Sequence, residues 1–255
     1  MLESAEILLL TEYLKSLLEN RIITRWEALS KYDEKSNSFK KFIKNLPLLV
    51  ETVKCKGKII YITLFNEDGY FYIIYEPDEE NTWLENSEDN EEARFIIETY
   101  KADETKKILF MDADNTKFRF TNKEETLDMT LGKLGPDVLT DEFKLPAWKE
   151  IISKNGTKNI TTLLMSQTII SGIGNREKCE ILFYAGISPM RKVGSLTVQE
   201  IEKLYEGLRI IPRLEYNTLL YSNFDLDLKI YNKQFATKTR TLDGEITYWN
   251  KSFQF

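Results

Sequence analysis

The sequence predicts an α+β fold in which a β-rich N-terminal part precedes a mostly helical C-terminal part. Apolar residues recur every three to four positions over residues 4–18, the spacing of an amphipathic leading helix. Short runs rich in β-branched and aromatic residues follow at 59–65, 70–75, 94–100 and 107–111, and such runs are typical of antiparallel strands. Together these observations predict an antiparallel β-sandwich with a leading helix over residues 1–125.

Helix and turn signals dominate the rest of the chain. Thr197 and Glu200 have the spacing of a capping box, in which each side chain accepts from a backbone N–H that the helix leaves unpaired. Pro212 is expected to end that helix and to begin another. The Asp243-Gly244 pair, between β-branched and aromatic residues, predicts a hairpin with a tight turn. We therefore expect helices over residues 126–224 and a hairpin over residues 225–255.

The composition excludes several classes of protein. At 255 residues, with 42% hydrophobic residues, the chain can build sizeable cores. It contains no apolar run of about eighteen residues and no leader pattern, so we expect a cytosolic or nucleoid-associated protein without membrane contact. Two cysteines, Cys55 and Cys179, and no histidine cannot supply a four-ligand zinc site or a histidine-based triad. We expect no metal and no cofactor.

The charge is unevenly distributed along the chain. The net charge is −6, but residues 144–255 carry 16 basic against 11 acidic residues, so the C-terminal part is the basic one. Residues 76–92 hold nine acidic residues and no basic one, a stretch that would repel a phosphate backbone if it faced one. Both patterns also fit ordinary solvated surfaces.

A glycine-rich break is the most informative local feature. A long apolar helix is expected to break at Gly172-Ile173-Gly174, and a new helix is expected to begin at Asn175. Backbone N–H groups at a helix start lack partners and carry partial positive charge, so this turn is suited to bind a phosphate. The alternative is an ordinary helical hairpin in which Gly172 ends one helix and Asn175 caps the next.

The whole string over residues 163–189 resembles the helix–two-turn–helix of the Fpg/Nei DNA glycosylases, whose loop grips the phosphates around a damaged nucleotide. The resemblance rests on Gln167, Gly172 to Asn175, Glu180 to Phe183, Ala185 to Ile187, and Pro189. Three further segments resemble the family in the same order along the chain. Residues 1–7 resemble the N-terminal segment of the family, residues 134–139 resemble the string that begins its helical domain, and residues 241–249 resemble its zincless finger.

The resemblance implies three domains, with DNA passing through the cleft between them. These are an N-terminal β-sandwich over 1–125, a helix–two-turn–helix domain over 126–224, and a C-terminal zincless β-hairpin finger over 225–255. The implied partner is double-stranded DNA that is damaged or abasic, bound by a monomer.

The resemblance also assigns catalytic candidates. Glu3 matches the family's catalytic glutamate, whereas Leu2 stands in place of the proline whose secondary amine attacks the sugar, which argues against the lyase step. Three readings remain open. Glu3, supported by Glu6, activates a water in a monofunctional glycosylase; the α-amine of Met1 acts as a displaced nucleophile; or the protein binds DNA and catalyses nothing. Acidic residues also suit a helix start for dipole reasons alone.

Some of the residues with which the family contacts DNA have counterparts in this sequence. Lys58, Gly174 and Asn175 are candidates for contacts to the backbone. Phe118, next to Lys117, matches the wedge that fills the gap left by a flipped base. In the finger, Glu245 replaces a phosphate-binding arginine, and compensation would come from Lys238 and Arg240. Each of these cations could equally be ordinary surface charge.

The sequence therefore predicts a protein of base-excision repair that binds damaged DNA. Its enzymatic version is a glycosylase that hydrolyses the N-glycosidic bond with Glu3 as general acid or base. The competing reading is an inactive scaffold of the same ancestry that binds structured DNA or a protein partner without chemistry.

Overall fold

The computed structural model describes residues 2–29, 35–79, 81–86, 93–112, 117–221 and 226–255. These residues divide into two compact units. The first unit is built on Leu10–Gly132, and the second on Glu3–Leu9 together with Lys133–Phe255. The sequence-based division into three domains stays a prediction.

The first unit is an antiparallel sheet with short helices. The leading helix α1 spans Ser4–Leu18, as predicted, and its residues from Leu10 onward belong to this unit. The strands are β1 (Ile22–Ala28), β2 (Leu48–Lys56), β3 (Ile59–Asn66), β4 (Gly69–Glu76), β5 (Thr82–Glu85), β6 (Ala93–Lys101), β7 (Glu104–Met111) and β8 (Lys117–Thr121). Helices α2 (Asn37–Ile43) and α3 (Glu124–Leu131) accompany them. The eight strands form one sheet in the order β5-β7-β6-β1-β2-β3-β4-β8.

Aromatic side chains close this sheet over a common core. Phe118 of β8 stacks on Tyr75 with ring centroids 4.8 Å apart. It also contacts Phe95 of β6 and Phe110 of β7, at 5.3 and 5.1 Å, although these strands lie near the other end of the strand order. Because strands that are far apart in the order share one core, the sheet folds over on itself. The α+β class with an N-terminal antiparallel sheet is confirmed.

The second unit is mostly helical and ends in a two-stranded hairpin. Its helices are α4 (Leu145–Lys154), α5 (Ile160–Met165), α6 (Asn175–Ala185) and α7 (Val198–Tyr221), and its strands are β9 (Thr237–Arg240) and β10 (Ile246–Trp249). The fully buried Trp148, Leu163, Ile181 and Leu204 bring the four helices into one apolar core. The capping box before α7 is present, since Thr197 N–H donates to Glu200 and Glu200 N–H donates back to the Thr197 hydroxyl.

Two helix predictions were wrong. Helix α5 ends at Met165 rather than at the glycines, because the Gln167 side chain binds the loop: its Oε1 accepts from Gly172 N–H and its Nε2 donates to Ile173 O. Helix α7 runs unbroken through Pro212, which is buried in the helix packing. Packing thus keeps a single helix where the local signal predicts two.

In the part of the chain that the structure describes, no helix is long and apolar enough to cross a membrane.

Candidate functional site

The carboxylate of Glu3 caps the start of helix α6. Its Oε1 accepts from the N–H of Arg176 and its Oε2 from the N–H of Glu177, each at 2.8 Å. Glu3 is only 5% exposed. Since the first turn of a helix offers unpaired N–H groups and partial positive charge, this turn does bind an anion, and the anion is the chain's own Glu3.

This arrangement corrects the predicted phosphate cradle. Beside the two N–H groups that bind Glu3, the N–H of Gly174 donates to Glu177 Oε2 at 3.3 Å. The Asn175 side chain donates to Ile246 O at 3.1 Å. Protein oxygens accept from these donors, so they do not stand free for a phosphate as the sequence predicts, and DNA contact by Gly174 and Asn175 stays a prediction.

Gly174 is required by the close approach of Glu3. A Cβ atom on Gly174 would lie 2.3 Å from the Glu3 carboxyl carbon. Real Cβ contacts do not come this close, so any side chain at position 174 would displace the carboxylate. Gly172 has a different role, since its φ of +102° lies in the left-handed region that favours glycine.

Arg176 joins Glu3 to two further carboxylates. Its guanidinium contacts Glu6 Oε1 and Glu215 Oε2, both at 3.1 Å, and its Nε lies 3.9 Å from Glu3 Oε2. Glu6 also accepts from the backbone N–H of Glu3 at 2.9 Å. The structure thus brings the predicted pair Glu3 and Glu6 together and adds Arg176 and Glu215, which sequence reasoning missed.

A signal for Glu215 was present in the sequence. Helix α7 buries Leu204 and Leu208 at a spacing of four, and position 215 continues that buried face with an acidic residue. A carboxylate in an apolar stripe needs a buried partner. The identity of that partner could not be read from the helix itself.

Burial controls the protonation of Glu215. Burial raises the pKa of Glu215 to about 7, with smaller contributions from Glu3 and Glu6, while the Arg176 guanidinium opposes the shift. Burial opposes the charge of Arg176 as well, but the three surrounding carboxylates outweigh it and raise the pKa of that residue above its usual range. Glu177 completes the cluster by accepting a short hydrogen bond from the Ser4 hydroxyl.

The next residues of α6 hold the C-terminal hairpin. Lys178 Nζ lies 2.5 Å from Asp243 Oδ2, and both side chains are almost fully buried. The thiol of Cys179 accepts from the N–H of Tyr248 at 3.3 Å, and burial raises its pKa to about 12. Glu180 accepts three backbone N–H groups at 2.8 to 2.9 Å, those of Lys229, Ile230 and Tyr231. One helix therefore anchors both the Glu3 cap and the hairpin.

The predicted basic residues of the finger lie on the hairpin surface. Lys238 is exposed and its Nζ lies 5.2 Å from the centroid of the Tyr248 ring. Arg240 is exposed too, and it donates to Gly244 O within the hairpin turn at 2.6 Å. Glu245 is exposed on the same turn. DNA contact by Lys238 and Arg240 stays a prediction.

The remaining candidates belong to the first unit or lie outside the described residues. Lys58 is half-buried in the turn between β2 and β3, and Lys117 is exposed at the start of β8 opposite Glu76. The half-buried ring of Phe118 stacks on Tyr75 in the aromatic core, and its assignment as an inserting wedge stays a prediction. Met1, residues 113–116 and residues 87–92 lie outside the described residues, so the reading of Met1 as nucleophile stays a prediction.

Comparisons with known proteins place this geometry in a family. Residues 134–213 match the formamidopyrimidine-DNA glycosylase H2TH domain. The chain is 32% identical over 149 residues to a formamidopyrimidine-DNA glycosylase of Prochlorococcus marinus (strain MIT 9301), covering 52% of this chain and 50% of that protein. It is 30% identical over 199 residues to the formamidopyrimidine-DNA glycosylase of Desulfitobacterium hafniense (strain DSM 10664 / DCB-2), covering 75% of this chain and 69% of that protein.

The fold matches over almost the full length. A complex between the Lactococcus lactis Fpg and DNA containing an abasic site superposes with a TM-score of 0.82 at 19% identity, covering 99% of each chain. The match shows a common fold, and the alignment spans half the length of the Prochlorococcus relative. With the H2TH match over the turn that holds Glu3 and the Desulfitobacterium relative aligned over most of its length, the chain belongs to the formamidopyrimidine-DNA glycosylase (Fpg/Nei) family.

Proposed function

We propose that this protein is a monofunctional DNA glycosylase of base-excision repair that removes a damaged base from double-stranded DNA. The observation that carries the proposal is the Glu3 carboxylate, fixed by two backbone N–H groups at the start of α6 in a member of this family. A carboxylate that is held in one orientation is pre-organised for proton transfer or for stabilising positive charge on a sugar.

In the proposed reaction the C1′–N glycosidic bond breaks and its electron pair leaves with the base. Water forms the new C1′–O bond, and its proton passes to the Glu3 carboxylate and then to the released base. Each carboxylate oxygen retains a lone pair beyond the one that accepts from the helix N–H, so both hydrogen bonds can persist during the transfer. Leu2 offers no secondary amine, so the proposal includes neither a Schiff-base intermediate nor strand cleavage.

Damaged or abasic duplex DNA is the proposed partner, bound by a monomer. The solved relative from Lactococcus lactis binds DNA that contains an abasic site. In this chain the exposed Lys238 and Arg240 of the hairpin supply cations for phosphates. Binding to an abasic duplex is expected to weaken steeply as salt rises, because phosphate contacts release counterions.

Base release tests the enzymatic step. The parent is incubated with duplexes that each carry one oxidised base, and abasic products are revealed by alkali. Glu3→Gln is expected to abolish release, whereas Glu12→Gln, a change at an exposed residue of the same helix, is expected to leave it unchanged. A thermal melt of each variant checks the fold. A borohydride-trapped adduct that disappears when the N-terminal amine is blocked would show an amine mechanism instead.

The inactive scaffold is the second candidate, and the 5% exposure of Glu3 favours it. Under this reading the carboxylate only caps α6. Salt-sensitive binding to an abasic duplex without base release from any substrate would support DNA binding alone. Absence of binding at low salt would support a protein partner.

A further inference from the structure

Arg176 and Glu215 form an ion pair, and neither residue is among those on which the resemblance to the family rests. We propose that Glu215 of α7 is a positioning residue for Glu3, acting through Arg176, and that its half-paired, buried carboxyl group gives this cluster its pH dependence. The activity readout of this proposal rests on the proposed glycosylase function, whereas its stability readout does not.

Glu215 differs from the other carboxylates of the cluster in its hydrogen bonds. Glu3 accepts two backbone N–H groups, Glu177 accepts from the Ser4 hydroxyl and the Gly174 N–H, and Glu6 accepts from the Glu3 N–H while remaining 26% exposed. Glu215 Oε2 contacts Arg176, but its Oε1 is buried and has no hydrogen-bond donor among the described residues. An ionised oxygen in that state is costly, and protonation removes the cost.

The charge balance leads to the same group. Three carboxylates, those of Glu3, Glu6 and Glu215, surround one guanidinium. A fourth, that of Glu177, has an oxygen within 4.8 Å of oxygens of Glu3 and Glu215. Glu3 and Glu177 are stabilised by the helix start, and Glu6 reaches solvent. Among the residues that the structure describes, Glu215 is paired with Arg176 alone, so it is the carboxylate whose negative charge is least compensated. Its pKa of about 7, raised by burial, is consistent with this position in the cluster.

Arg176 transmits the state of Glu215 to Glu3. The Arg176 guanidinium contacts Glu215 on one side and Glu6 on the other, and its Nε lies 3.9 Å from Glu3 Oε2. Moreover, the backbone N–H of Arg176 is one of the two donors that hold Glu3. When Glu215 is protonated, the positive charge of Arg176 acts on Glu3 and Glu6 alone. When Glu215 ionises, part of that charge is neutralised, so the guanidinium opposes the transfer of a proton from water to the Glu3 carboxylate less strongly.

The pH dependence of base release tests this coupling. For the parent, single-turnover release is expected to rise on the order of tenfold between pH 6 and pH 8. Glu215→Gln should remove this rise and hold the rate at the low-pH value throughout, with little change in substrate affinity. Glu206→Gln, at an exposed position on the same helix, should keep the parent profile. Arg176→Lys retains the charge without the planar fork, so its maximal rate should fall more than its affinity.

A stability measurement separates failure of the coupling from failure of the function. The urea midpoint of the parent should fall relative to that of Glu215→Gln as pH rises from 5 to 8, whether or not the protein is an enzyme. If this difference is present but no variant releases base, the glycosylase function fails and the buried proton site stands. If the parent releases base and Glu215→Gln keeps both its pH profile and a constant midpoint difference, the coupling is refuted.

Discussion

Replacing Lys178 with methionine is expected to detach the C-terminal hairpin locally from helix α6. Lys178 Nζ lies 2.5 Å from Asp243 Oδ2, and the two side chains are 0% and 2% exposed. Methionine keeps the aliphatic volume but removes the charge, so the buried Asp243 carboxylate keeps the Thr241 hydroxyl as its one side-chain partner among the described residues. Removing one partner of a buried ion pair costs about 3–5 kcal/mol, because the remaining charge is uncompensated.

Amide hydrogen exchange measures this local opening of the hairpin. Amides of residues 237–249 should exchange at least ~100-fold faster in Lys178→Met, since each 1.4 kcal/mol corresponds to about tenfold in an opening equilibrium. Adding Asp243→Asn should restore much of the protection, because no buried charge remains unpaired.

The control for this experiment breaks an exposed ion pair. Lys149 and Glu202 are joined at 2.6 Å with side chains 45% and 44% exposed. Lys149→Met should cost less than about 1 kcal/mol. The reasoning is refuted if Lys178→Met costs no more than this control, or if hairpin amides exchange at the parent rate.

Three further outcomes can be measured on the same protein. In urea titrations, Gly174→Ala should lower the free energy of unfolding by at least about 2 kcal/mol, because the added methyl group displaces the carboxylate cap of α6. The control is Gly156→Ala, whose Cβ would lie 3.6 Å from its nearest atom. It should change the free energy of unfolding by less than about 0.5 kcal/mol. Equal losses in the two variants would contradict the cap. The folded-state pKa of Glu215 is raised from 4.5 to about 7, so the stabilising contribution of its protonated form is complete below pH 4.5 and is lost as pH rises through 7. Over this window, urea titrations should show the parent losing up to about 3 kcal/mol of unfolding free energy relative to Glu215→Gln. A difference between the two proteins that does not change with pH would contradict the shift. In native protein at pH 8, Cys55 should react with a thiol reagent at least ~10-fold faster than Cys179, since burial raises the pKa of Cys179 to about 12; comparable rates would show that the thiol is accessible.

Local sequence signals predicted the parts of the fold that depend on neighbours along the chain. The leading helix, the start of α6 at Asn175, the capping box at Thr197 and the hairpin around Gly244 all follow from residues within a few positions. The early strands β1 and β2 were not predicted, because their pairing partners and their burial are set by strands distant in sequence. The prediction of a helix boundary at Pro212 was wrong for a related reason. The tertiary packing of α7 outweighs the local tendency of proline to interrupt a helix.

The site was predicted only as far as the family resemblance reached. Glu3 and Glu6 were identified, and the helix start was correctly interpreted as an anion site, but the anion was assigned to DNA rather than to Glu3. The bonds from Glu3 to α6 span 173 and 174 positions, and Arg176 and Glu215 are 39 apart. Pairings of this kind leave no periodic trace in the sequence, so their partners could not be deduced before the fold was known.

The Arg176–Glu215 link has an evolutionary consequence. Glu215 without a guanidinium at position 176 would leave an unpaired charge in the interior, whereas Arg176 without Glu215 would keep its contact with Glu6. An acid at position 215 should therefore occur among relatives only together with a base at position 176. Lineages that acquire the pair should gain the arginine first, because the opposite order passes through an unstable intermediate.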